Sequence, residues 1–191
     1  MPGSSESFKA KVCMAGNPGV GKTSLIRRFV VGDYDDKYIV TLGTKVSKRV
    51  VRLADPATSA ETEVDLILWD VMGTPSIRDL LKEAYYRGAK GILAVLDLTR
   101  SDTLAALDGW ASSIRSVAGR IPIHVVANKV DIVPNRRVSE PDLATFCAAR
   151  GWPWSYASAK TGAGVIAAFE SISRAVLARK ASVSEAAQLT L

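Results

Sequence analysis

The feature that most narrows the fold is the octapeptide Gly16-Asn17-Pro18-Gly19-Val20-Gly21-Lys22-Thr23, set between an apolar run and a segment of helical period. Phe8 to Ala15 reads as a strand, and the spacing predicts a helix from about Lys22 to Val31. A strand that feeds a helix through a glycine-rich turn is the opening of a strand-helix-strand unit, which belongs to a mostly parallel sheet with helices on its faces. The pattern G-x-x-x-x-G-K-[ST] also carries a chemistry. Its glycines let the backbone turn so tightly that successive N–H groups point inward, and the helix start adds partial positive charge, making a cradle for a β-phosphate. In such a cradle Lys22 would bridge the β- and γ-phosphates, and the Thr23 hydroxyl would ligate Mg2+.

The rest of the chain continues the alternation. Strands are expected near Lys45 to Leu53 and Glu63 to Trp69, joined by the turn-rich stretch 54–60, which is short enough for an antiparallel hairpin. One of them is then an antiparallel edge, and Lys45, Lys48, Arg49 and Arg52 read as charges protecting it. Later strands are expected at Gly91 to Leu98, at Ile121 to Ala127 and around Trp154 to Ala157. A helix over Ser101 to Val117 opens on a polar cap ahead of Leu104, Leu107, Trp110 and Ile114, and Val165, Phe169, Ile172 and Val176 mark another. Both stripes read as core. Residues 1–7 and 181–191 are expected to be flexible, leaving one domain over 8–180.

Composition excludes several classes of function. At 191 residues with 48% hydrophobic residues, the chain can bury one sizeable core. No apolar run approaches the roughly 18 residues of a membrane span, and the first residues lack a secretion signal, so a cytoplasmic protein is expected. The two cysteines, Cys13 and Cys147, sit in apolar segments and read as buried thiols. His124, the one histidine, lies inside an apolar run, where a hydrogen-bonded core imidazole is expected, so Ser-His and Cys-His catalysis are disfavoured. The net charge of +6 is dispersed, reading as a soluble surface with at most weak attraction to an anionic membrane, and nothing argues for nucleic acid.

A second loop supplies the choice of ligand. Asn128-Lys129-Val130-Asp131 follows the apolar strand ending at Ala127, at a strand's carboxyl end, where open α/β sheets bind ligands. Guanine presents an N1–H and an exocyclic NH2 side by side, and one carboxylate, Asp131, can accept from both. Adenine would leave that carboxylate unanswered. The Lys129 stem can lie along the base plane, and Asn128 can tie neighbouring loops. Ser158-Ala159-Lys160 follows the last short strand, where backbone N–H groups could meet the guanine O6 and Lys160 could cover the ring.

With these motifs in order, the chain resembles a Ras-superfamily small GTPase, most like the Rab branch, from Lys9 to about Arg179. The resemblance also rests on 32–34 and 38–43, on Trp69-Asp70-Val71-Met72-Gly73, and on Tyr85-Tyr86-Arg87-Gly88-Ala89 leading into Leu96-Asp97-Leu98-Thr99. It implies the P-loop NTPase fold, a six-stranded mostly parallel sheet with one antiparallel edge strand and about five helices. It implies a GTP/GDP site formed by Asn17, Pro18, Gly19, Val20, Gly21, Lys22, Thr23 and Ser24, with Tyr34 against the guanine and Tyr38 over the phosphates. Asn128, Lys129, Asp131, Ser158, Ala159 and Lys160 would hold the base. Mg2+ would be held by Thr23, Thr41 and, through water, Asp70, while Gly73 would touch the γ-phosphate.

Hydrolysis would engage Lys22, Thr41, Gly73 and Thr74, and two loops, 33–44 and 71–87, would be ordered by the third phosphate and released on its loss. Those loops would be the binding surface for effectors, exchange factors and GTPase-activating proteins of a monomeric switch. The chain departs from the family where D-T-A-G-Q-E is usual and Asp70-Val71-Met72-Gly73-Thr74-Pro75 stands instead. Thr74 is too short to orient a water as glutamine does, so slow hydrolysis is expected. Pro18 stands where the family often carries glycine or another small residue, and its ring either obstructs the space that a partner's arginine would need or stiffens the loop. The ending lacks a cysteine and position 2 lacks glycine, so no covalent lipid anchor is expected. Two other readings are a scaffold that holds its nucleotide permanently and a P-loop kinase; the 128–131 tetrad argues against the kinase.

Overall fold

The computed structural model describes residues 8–33, 44–54, 61–71 and 82–188, the last five without their side chains. Six strands, β1 (Phe8–Ala15), β2 (Thr44–Ala54), β3 (Glu61–Val71), β4 (Gly91–Asp97), β5 (Ile123–Asn128) and β6 (Trp154–Tyr156), form one sheet in the order β2-β3-β1-β4-β5-β6. All neighbours are parallel except β2 and β3. Five helices flank the sheet: α1 (Lys22–Val31), α2 (Asp102–Ala105), α3 (Leu107–Ala118), α4 (Glu140–Ala148) and α5 (Val165–Gln188). Residues 82–86 are also helical, and Val133–Asn135 form a 3-10 turn.

The burial pattern follows from position in the sheet. β4 and β5 lie inside it and are buried at every residue, so they read as continuous apolar runs. β2 is an edge strand; Val51 and Leu53 turn into the core, while Lys48 pairs with Asp65 at 2.9 Å and Arg52 with Glu63 at 2.9 Å. Arg49 lies over the Phe29 ring, 4.3 Å from its centroid. Three of the four cations on this edge strand thus pair laterally with the next strand or lie on an aromatic face.

Two apolar layers hold the helices. On one face α1 and α5 meet over the sheet, with Phe29 and Phe169 stacked at 4.0 Å and the stripe Val165, Phe169, Ile172 and Val176 fully buried. On the other, Leu107, Trp110 and Ile114 of α3 pack with Leu143 and Cys147 of α4. Each such side chain removed from water contributes about 1.5–3 kcal/mol. Both cysteines are buried and free. His124 bonds Ser155 through Nε2 at 2.9 Å and Ser171 through Nδ1 at 3.0 Å, and burial lowers its pKa to about 4, so it is a neutral core imidazole.

Three local expectations change. The single helix from Ser101 is two, parted at Ala106, whose N–H is shared between the carbonyls of Asp102 and Leu104. Ser101 makes no side-chain cap; Thr103, inside the short helix, instead ties it to β4, accepting from the Asp97 N–H at 3.0 Å and donating to the Arg100 carbonyl at 2.6 Å. At the carboxyl end, residues 181–188 of the tail expected to be loose are helical within α5, and 189–191 lie outside the described residues. Residues 1–7 lie outside the described residues.

What the topology does for function is set by register. Asp70 of β3 pairs with Met14 of β1, Asp97 of β4 with Asn128 of β5, and Ala127 with Tyr156 of β6. Because these five strands run parallel, the chain after each emerges along one edge of the sheet, the carboxyl edge where such folds bind ligands.

Candidate functional site

At that edge the phosphate-type loop wraps back on itself. Gly16, Gly19 and Gly21 all adopt positive φ. At two of them any side chain would force a neighbour to shift: a Cβ on Gly16 would lie 2.2 Å from the Val95 carbonyl oxygen, and one on Gly21 2.2 Å from the Asn128 amide nitrogen. Lys22 and Thr23 open α1, with Ser24 following. The Lys22 ammonium folds into the loop and donates to the carbonyls of Gly16 at 2.6 Å and Asn17 at 3.0 Å. Burial pulls its pKa down to about 8, against the opposing pull of the Asp70 carboxylate. Thr23 donates to Asp70 at 2.5 Å, and Asp70 is buried.

The second loop is joined to the first by one side chain. Asn128 is buried at the end of β5, and its Nδ2 donates to the Val20 carbonyl at 2.8 Å while its Oδ1 accepts from the Ala159 N–H at 3.1 Å. Lys129 is the only non-glycine of positive φ among the described residues, at 66°. That conformation costs about 1–3 kcal/mol and persists only where its surroundings fix it. Here they do: its ammonium bonds Asp97 at 2.5 Å. Burial alone would push the Asp97 carboxyl up, but hydrogen bonds from Lys129 and Thr99 and the Lys129 charge hold it below the usual carboxylate range. Ser158, buried, donates to Asp131 Oδ1 at 2.6 Å and accepts from the Thr161 N–H at 3.0 Å. Among the described residues this is the only hydrogen bond to the Asp131 carboxylate.

A scan of family models matches the Ras family over residues 11–178. The chain belongs to the Ras family.

Its relatives include the GTP-binding protein ypt4 of Schizosaccharomyces pombe, 30% identical over 92% of this chain and 74% of the relative. They include the Ras-related protein Rab-25 of Homo sapiens, 32% identical over 91% and 78%, and Rab-7b of Mus musculus, 28% identical over 92% and 86%. The protein is thus a Rab-like small GTPase, a guanine-nucleotide switch of a family that works through regulators and effectors. No helix among its described residues is long and apolar enough to cross a membrane.

In this Ras-family chain the structure brings together Asn17, Pro18, Gly19, Val20, Gly21, Lys22, Thr23, Asp70, Asn128 and Ala159 through the bonds above, with Lys129, Asp131, Ser158 and Lys160 in the adjoining loops. Tyr34, Tyr38, Thr41, Gly73 and Thr74 lie outside the described residues. Four residues without a role in the sequence reading turn out to brace the site. Trp110 donates from Nε1 to Asn17 Oδ1 at 2.9 Å, and Arg100 donates to the Pro18 carbonyl at 3.0 Å. Arg28 donates to the Ala159 carbonyl at 2.9 Å and also to that of Lys160, and Asp97 anchors Lys129. Asp97 stood within a family motif, and Trp110 within an apolar stripe that concealed its polar edge. Arg28 carries no signal in the local sequence, since its partner lies 131 residues away.

Proposed function

We propose that this chain binds GTP and GDP at the loops after β1, β5 and β6 and hydrolyses GTP slowly. The observation that carries this reading is the Asn128 side chain, which bonds the phosphate-type loop at Val20 and the last loop at Ala159 and so makes one rigid edge of three segments. In this reading the phosphates lie on the backbone N–H groups of 17–23, with Ser24 beside them, and Lys22 exchanges its loop carbonyls for phosphate oxygens. Its low pKa supports that: burial outweighs the pull of the Asp70 carboxylate on the ammonium, which therefore gains from an incoming anion.

Asp131 accepts from guanine, and Ser158 holds the carboxylate in place for it. Lys129 covers one side of the base, held in its strained conformation by Asp97; Ala159 and Lys160 close the other side.

The donor set also fits Mg2+. Thr23 and the buried Asp70 put a hydroxyl and a carboxylate oxygen together beside Lys22, and a small hard cation prefers all-oxygen ligands. Thr41 would complete this set. When bound, Mg2+ neutralises charge on the β- and γ-phosphates. The slow hydrolysis rests on Thr74, too short to orient the attacking water, while Gly73 and Thr41 contact the third phosphate. Partners read the nucleotide state through 33–44 and 71–87, and we place the protein in the cytoplasm as a monomer.

The test is extraction of nucleotide from purified protein, calorimetry with GTP, GDP and ATP with and without Mg2+, and single-turnover hydrolysis. Bound guanine nucleotide, exclusion of ATP and a rate that rises about tenfold or more in Thr74→Gln are expected. ATP held as tightly as GTP would refute the base assignment, and a Thr74→Gln rate equal to the parent would refute the account of slow turnover.

A further inference from the structure

A cavity of about 240 Å³ lies apart from the nucleotide loops, lined by Asp108, Ala111, Ser112 and Arg115 of α3 and by Arg150 and Trp152 from the turn after α4. Its charges are unevenly matched. Arg150 grips Asp108 with two parallel bonds of 2.6 and 2.5 Å and caps the Phe146 carbonyl at 2.7 Å, so the one carboxylate lining the cavity is engaged. Arg115 has no such partner. Among the described residues its only hydrogen bond is a long one, 3.4 Å from Nη2 to the Ile121 carbonyl, and its Nε is buried without an acceptor.

The indole N–H of Trp152, a residue more than nine-tenths buried, is likewise without an acceptor. The Arg115 guanidinium lies 5.7 Å from the Trp152 ring centroid, so the two donors belong to one wall. Buried donors left unmatched carry their full desolvation cost. Burial, and then the positive charge of Arg120, lower the Arg115 pKa.

We propose that this cavity binds a small carboxylate anion, with Arg115 as the charged anchor and the Trp152 indole as wall and second donor. The planar guanidinium fork matches a carboxylate in a way it matches no neutral ligand. The size agrees: at roughly 30 Å³ per water the space takes an organic acid of a few carbons. Arg115 and Trp152 both line the cavity, and Arg115 is held by one long hydrogen bond, which leaves its fork for a carboxylate. A cation is disfavoured, because Asp108 already answers Arg150. None of these residues belongs to the proposed nucleotide site, so the inference stands independently of that reading.

The experiment titrates the full chain with sodium acetate and sodium succinate, against sodium chloride at matched ionic strength, following the indole N–H resonances in a 15N spectrum with Trp152 assigned by Trp152→Phe. A saturable displacement of the Trp152 resonance by the carboxylates and not by chloride is expected. Arg115→Gln should weaken binding about tenfold or more. Asp108→Asn should instead tighten it, because Arg150 loses its anionic partner and becomes a second anchor. A non-saturating shift, an equal response to chloride, unchanged affinity in Arg115→Gln, or unchanged or weaker affinity in Asp108→Asn would each overturn the proposal. The Asp108 variant alters a half-exposed side chain, so the test survives even if Arg115→Gln does not fold.

Discussion

The phosphate-type loop and the base-type loop lie on one edge of the sheet but are built from different materials. The first is backbone: glycines at positive φ, a lysine turned onto its own carbonyls, and braces reaching in from Trp110 and Arg100. The second is side chain: Asn128, Lys129 and Asp131 each carry a specific bond, to Val20 and Ala159, to Asp97 and from Ser158. Backbone N–H groups suit phosphates, which every nucleoside triphosphate shares, while a carboxylate in a fixed place discriminates one base edge from another. Affinity and selectivity should therefore be separable by mutation.

The largest effect expected is on selectivity. Asp131→Ala should lower the preference for GTP over ATP by about 10³-fold or more, read by competition binding. A preserved preference would place base reading elsewhere.

Gly21→Ala should act oppositely, lowering affinity for GTP and GDP together by about 10- to 100-fold, from the roughly 1–3 kcal/mol that a φ of 101° imposes on alanine. The added Cβ also meets the Asn128 amide at 2.2 Å. Guanine preference in the residual binding should persist, and its loss would show that the two loops are not separable at their junction.

A pH titration sharpens the contrast further, because burial brings the anchor of the phosphate-type loop, Lys22, into the neutral-to-basic range. Lys22 has its pKa lowered to about 8, and phosphate would raise it. Nucleotide affinity should thus fall about tenfold between about pH 7 and pH 9, with proton uptake on binding, measured by calorimetry in buffers of different ionisation enthalpy. The nucleotide-free fold should instead gain stability as pH rises from about 8 toward 10.5, since the unfolded chain still holds the proton the fold has released. Affinity independent of pH would remove Lys22 from the phosphate site.

The smallest effect belongs to Trp110→Phe. The ring still fills the core but the bond to Asn17 is gone, at a cost of about 1 kcal/mol, so GDP release should quicken about three- to sixfold with little change in melting temperature. A large drop in melting temperature would make Trp110 a packing residue alone.

Much of this was legible in the chain. The strand at Phe8–Ala15, the helix at Lys22–Val31, the hairpin and its charged edge all follow from patterns local to ten or so residues. The break at Ala106 did not, because the shared N–H that marks it is backbone geometry that the apolar period does not register, and neither did the helix beyond residue 181. The braces were hidden for another reason: Trp110 and Asn17 are 93 residues apart, and Arg28 and Ala159 131.

Sequence alone determined which groups are present and on which element each stands, since glycine spacing, apolar period and strand-end position are properties of short segments. Tertiary structure alone decided which of them touch. The register that sets Asp70 beside Met14 and Asp97 beside Asn128 is a property of the assembled sheet. The same holds for the cavity at Arg115, whose wall is shared by α3 and a turn far along the chain. Contacts of that kind arise from packing, and no stretch of chain encodes both partners at once.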